Sequence, residues 1–192
     1  MRKTLTITLV LLCVAFFSYG QSKYGPKRSE SGKYIVDHES HVMPGGGYNF
    51  YFPSASDSLG TFSGFSPEFL IYNYIRQNEY RGPSHLRFYG SISILQSDKE
   101  GVANMLKYGL GLNLSVERNP HRNFLIPYFG LEFGGLNQES FNTLQFTPMG
   151  GLFLYYDHRL VVSTSGGYVY PLKEFEKLSG AFFNATINFT LW

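Results

Sequence analysis

From Leu106 to Glu117 the chain alternates without a break. Leu106, Tyr108, Leu110, Leu112, Leu114 and Val116 are apolar or aromatic, and Lys107, Gly109, Gly111, Asn113, Ser115 and Glu117 between them are polar or small. Successive side chains of a strand point to opposite faces of the sheet, so this is a strand with one apolar and one polar side. A helix is excluded, because leucines at every second position would surround it. The same pattern recurs to the end of the chain, in eight runs near 42–52, 62–75, 85–96, 106–117, 124–135, 144–156, 160–170 and 179–192. Each run meets or exceeds the roughly 9–11 residues that a tilted membrane-spanning strand needs. Soluble sandwiches favour shorter strands, near 5–6 residues. Backbone groups cannot bond to lipid, so a spanning sheet must close on itself. The expected fold is all-β: an eight-stranded antiparallel up-and-down transmembrane β-barrel, with both ends on the same side.

The last run shows how the faces divide. Phe183, Ala185, Ile187, Phe189 and Leu191 fall on one side, and Asn184, Thr186, Asn188 and Thr190 on the other. In a membrane barrel the first series meets lipid and the second lines the lumen. Phe52, Tyr168 and Tyr170 at one set of strand ends, with Tyr74, Tyr156 and Trp192 at the other, fit aromatic girdles at the two interfaces. Pro67 lacks a ladder donor and is expected to mark a bulge. The connections near 53–61, 97–104, 136–143 and 171–178 are assigned to the exterior, and all are short. The mean hydropathy of −0.14 fits this reading, because alternating strands average to near neutral.

Residues 1–20 read as a cleaved secretory signal. Arg2 and Lys3 precede an apolar core from Leu5 to Phe17, and Ser18-Tyr19-Gly20 supplies small residues before the expected cut at Gln21. The apolar core is short of the roughly 20 residues of a spanning helix. The single cysteine, Cys13, leaves with it, so the mature chain carries no disulfide or thiolate chemistry. Arg2 and Lys3 leave too, so 14 of the 16 basic residues remain against 14 acidic ones, and nothing points to nucleic acid. Residues 21–40 form a polar, loosely ordered lead, and residues 41–192 the barrel. The stretch Asp37-His38-Glu39-Ser40-His41 has metal-ligand chemistry but no second half elsewhere, and reads as solvated. No metal or cofactor is expected.

The polar face carries Glu68, Arg87, Lys107, Asn113, Glu117 and Glu132. An eight-stranded barrel is just wide enough for side chains to fill it. Charges there must pair or stay hydrated, so a plug of ion pairs and hydrogen bonds is expected, with a narrow ion path as the competing reading. The Asn-x-Ser/Thr triplets at Asn113, Asn184 and Asn188 follow from the polar face itself and are not read as glycan acceptors.

The signal, the eight alternating runs and the aromatic closing strand together resemble the small eight-stranded outer-membrane barrels, OmpA-like and OmpX-like. The resemblance implies a bacterial outer-membrane protein with a structural or interaction role in the envelope, and no catalytic residues. It implies outer-membrane lipids around a monomer, the barrel assembly machinery during insertion, and another envelope protein as the partner class. It also implies that the closing strand, with Phe183, Ile187, Phe189, Leu191 and Trp192, is a sorting signal. In that family apolar residues at alternate positions lead to a terminal aromatic; here Trp192 falls on the polar side of the series. Some relatives modify lipid A, one group through a late His-x-Ser-Asn sequence, whereas His158 is followed by Arg159-Leu160-Val161. A lipid-modifying enzyme and a soluble lipocalin-like barrel with its apolar faces inward are the alternatives.

Overall fold

The structure is a computed structural model. It describes residues 37–78, 82–117, 122–139, 141–156 and 159–189, of which 37–42, 71–78, 82–85 and 116 are described by backbone alone. The signal at residues 1–20, most of the polar lead, His158, Leu191 and Trp192 lie outside these residues.

The strands are β1 (Asp37–Pro53), β2 (Phe62–Asn78), β3 (Gly82–Ser97), β4 (Met105–Val116), β5 (Phe124–Gln138), β6 (Phe141–Tyr156), β7 (Leu160–Pro171) and β8 (Gly180–Phe189). One-turn helices α1 (Ser56–Leu59) and α2 (Phe175–Leu178) sit in the β1–β2 and β7–β8 connections. Every strand pairs antiparallel with its neighbours in sequence, and β1 pairs with β8 from Gly45↔Asn188 to Pro53↔Gly180. The barrel is therefore closed and has no free edge.

Burial follows the alternation. On β4, Leu110 is 53% exposed while Lys107 is 2% exposed, and on β5, Phe129 is 63% exposed while Glu132 is 3% exposed. Apolar side chains face out and charged ones face in, the reverse of a soluble protein. The lipocalin-like alternative required the opposite.

Four details differ from the sequence reading. β1 begins at Asp37, so the last residues of the expected lead, with the Asp37–His41 stretch, belong to the sheet. Pro67 causes no slip. It pairs with Gly46 on β1, and the β2–β3 register is the same on either side of it, at Phe65↔Ile94 and Glu68↔Ser91. A missing donor costs a rung of the ladder, not a residue of register. The irregularity in β2 lies instead between Leu70 and Tyr72. A second one in β6, between Phe153 and Tyr155, reverses the parity beyond it. Tyr155 therefore points outward and Tyr156 inward, against Phe153 at 4.7 Å between ring centroids. Tyr156 is thus not part of an outer girdle. Finally, the 136–143 connection shrinks, because β5 runs to Gln138 and β6 starts at Phe141.

Candidate functional site: the barrel lumen

Inward positions of the strands place four charged side chains in the middle of the lumen. Arg87 Nη2 lies 3.2 Å from Glu68 Oε1 and also donates to Asn188 Oδ1 at 3.0 Å. Lys107 Nζ lies 2.5 Å from Glu132 Oε1. Glu132 also accepts from Ser91 Oγ at 3.1 Å and from Gln145 Nε2 at 3.3 Å. All four are at most 5% exposed. Two acids face two bases, so the cluster is neutral as well as paired, which is what burial of ions in a low dielectric demands.

The six polar-face residues of the sequence reading do not all meet. Glu68, Arg87, Lys107 and Glu132 form the two pairs. Glu117 lies at the β4–β5 end of the barrel, with Arg122 Nη1 at 3.1 Å from its Oε2. Asn113 is buried beside Gly130, where an added Cβ would lie 2.1 Å from its Oδ1. That oxygen has no hydrogen-bond partner among the described residues. On β8, Phe183, Ile187 and Phe189 point outward at 47%, 44% and 54% exposure. Asn113, Thr186 and Asn188 are buried in the lumen, where no glycan fits. Among the described residues no group of His, Cys, Asp and Glu converges as metal ligands would.

The polar reading of the lumen missed two apolar layers that sandwich the charges. Towards α1 and α2, Tyr51, Phe62, Leu95, Met105, Leu136 and Phe182 point inward and are nearly or fully buried. Leu178 of α2 reaches into the same layer, and its carbonyl accepts a hydrogen bond from the Tyr51 hydroxyl. Towards the other end, Tyr128 stacks on Phe153 at 4.2 Å, with Ile126, Val161 and Tyr156 nearby in the same core. Each pair of charges leans on one of these layers. Lys107 Nζ lies 5.2 Å from the ring centroid of Phe182, and Arg87 Cζ lies 5.3 Å from that of Phe153, both within cation–π range. Parity was the available signal, since Leu95, Met105 and Leu136 lie an even number of residues from Arg87, Lys107 and Glu132. Their apolar character hid them among outward-facing neighbours. Glycine supplies the room for the large inward rings: a Cβ on Gly111 would fall 2.1 Å from the Tyr89 ring.

Among the described residues, ion pairs occupy the middle of the lumen and apolar side chains pack on either side of them. This arrangement fixes ions in opposed pairs, blocks the loop end with side chains, and leaves the outer wall apolar.

No protein-family model matches the sequence, and no curated protein does. Among solved structures, the chain resembles Neisserial surface protein A, with a TM-score of 0.51 and 13% sequence identity over 80% of this chain and 99% of that one. The likeness is one of fold, and the fold is a closed eight-stranded antiparallel β-barrel.

Proposed function

We propose that this protein is a non-enzymatic outer-membrane β-barrel, of the kind that OmpA-like and OmpX-like barrels represent, with a structural or interaction role in the cell envelope. The observation that carries the proposal is the inversion of burial: apolar side chains outside and paired ions inside. Water would penalise the outer wall, whereas lipid satisfies it. A filled lumen is suited to holding a rigid cylinder in a bilayer rather than to passing solutes. The likeness to a surface protein supports the same setting. Residues 1–20 serve as the export signal, lipids and the assembly machinery are the first partners, and the barrel acts as a monomer that presents its rim to another envelope component.

Membrane fractionation with heat-modifiable gel mobility tests this. The protein is expected in the outer-membrane fraction, resistant to salt extraction, and shifted in mobility on boiling. Recovery in the soluble periplasm without detergent would sink the proposal. β8 carries a second expectation. Its outward series Phe183, Ile187 and Phe189 continues in sequence to Leu191, and Trp192 follows on the opposite parity. Removing Leu191 and Trp192 is expected to lower outer-membrane levels, because it shortens the signal read by the assembly machinery while leaving the β1–β8 ladder from Gly45↔Asn188 to Pro53↔Gly180 intact. Unchanged levels of the truncated protein would show that these residues are no sorting signal.

A further inference from the structure

On the outer wall, two recesses lie along β3, the upper one bordered by β1 and β2 and the lower one reaching from β2 to β5. The upper one, of about 360 Å³, sits at the rim beside α1, between Tyr48, Ser63, Phe65, Gln96, Asp98 and Asn104. The lower one, of about 540 Å³, is walled by Phe69, Ile92, Tyr108, Leu110 and Phe133 over Gly90. Both fall within the roughly 300–1,000 Å³ range of ligand sites. β3 joins them, because Ile94 borders the upper recess while Ile92 and Gly90, the next outward positions on the strand, line the lower. Polarity divides along the strand: amides, hydroxyls and a carboxylate at the rim, and mostly carbon below.

Gly90 is not imposed by the fold. A Cβ there would meet Leu110 Cδ2 at an ordinary 3.5 Å, whereas at Gly64 it would lie 1.9 Å from the Ile94 carbonyl oxygen. The missing side chain at 90 leaves a trough open to the membrane side.

We infer that this double recess holds one lipid of the surrounding leaflet, with a sugar headgroup at the rim and an acyl chain over Gly90. The inference rests on the membrane reading above. The headgroup chemistry follows from the upper lining. Gln96 and Asn104 are exposed amides able to donate and accept, and Tyr48 and Phe65 offer exposed aromatic surface, a combination suited to hydroxyl-bearing rings. The Asp98 carboxylate is fixed by accepting from Thr61 N–H at 2.7 Å. The nearby cation, Lys99, donates instead to the Asp57 carbonyl in the adjoining loop. No Lys or Arg lines the upper recess, so a phosphate headgroup would meet the Asp98 carboxylate there, and the site favours an uncharged sugar.

The test uses the full barrel in nanodiscs of equimolar phosphatidylglycerol and monogalactosyl diacylglycerol with matched acyl chains, and native mass spectrometry of the released protein. Retention of the galactolipid over phosphatidylglycerol by about tenfold is expected. Asn104→Ala should lose that preference, and Gly90→Phe should lose retention of the galactolipid altogether. Equal retention of the two lipids, stronger retention of phosphatidylglycerol, or wild-type behaviour of both variants would overturn the lipid site. A barrel that enters nanodiscs and is heat-modifiable but shows no lipid preference overturns this inference alone. One that never enters overturns the membrane reading as well.

Discussion

Lys107→Ala is expected to destabilise the barrel by about 3–5 kcal/mol, the usual cost of orphaning one member of a buried ion pair. Among the described residues, Glu132, 3% exposed, would keep the Ser91 hydroxyl and the Gln145 amide as donors. Neither cancels its charge, so the carboxylate must take up a proton or draw in water. Glu132→Ala is expected to cost a similar amount, because Lys107 would be left with the face of Phe182. The pair itself need not add stability over an apolar replacement. Lys107→Met with Glu132→Leu should therefore recover most of the loss and be far less destabilised than the sum of the two single changes, the mark of coupled sites. Urea unfolding in lipid vesicles measures these differences. Single variants within about 0.5 kcal/mol of wild type would mean that the lumen is wet enough to hydrate a lone charge, and the plug reading would fall.

That pairing was only half legible in the sequence. Period-two alternation identified every strand and put Glu68, Arg87, Lys107 and Glu132 on the inner face, because a side chain's face depends only on local parity. Which acid meets which base depends on the stagger between strands around the closed barrel, and no local pattern records it. Glu117 illustrates the loss: it has the right parity, but it lies at the end of the barrel near Arg122 and away from the central cluster. Bulges are equally silent. Leu154, Tyr155 and Tyr156 are all apolar or aromatic, so either parity looks acceptable, and the slip that turns Tyr156 inward leaves no compositional trace. At Pro67 the composition pointed to an irregularity where the register holds. The apolar layers were hidden for a related reason. Leucine and methionine serve equally well against lipid or at the end of a lumen, so type alone does not show that Leu95 and Met105 face in. Leu178 belongs to a loop and lies outside any periodic argument, yet α2 carries it into the barrel.

The outward face admits a test that separates the two solvents directly. Leu131 lies near the middle of β5, 41% exposed, paired with Leu112 on one side and Pro148 on the other. In water an arginine there would be tolerated, since surface substitutions usually change stability by no more than about 0.5 kcal/mol. In a bilayer the same change places a guanidinium near the midplane, at a cost of about 2–4 kcal/mol. Leu172→Arg supplies the control. Leu172 is 72% exposed in the β7–β8 connection, beyond the end of β7, where the bilayer cost falls to about 0–1 kcal/mol. Leu131→Arg is therefore expected to lower stability in vesicles by several times as much as Leu172→Arg, although both replace an exposed leucine by the same residue. The depth dependence is the informative quantity, because a packing defect at Leu131 would appear equally with Leu131→Ser, whereas a lipid penalty is larger for arginine. Equal, small effects of arginine at both positions would mean that the apolar wall does not face hydrocarbon, and the outer-membrane assignment would have to be withdrawn.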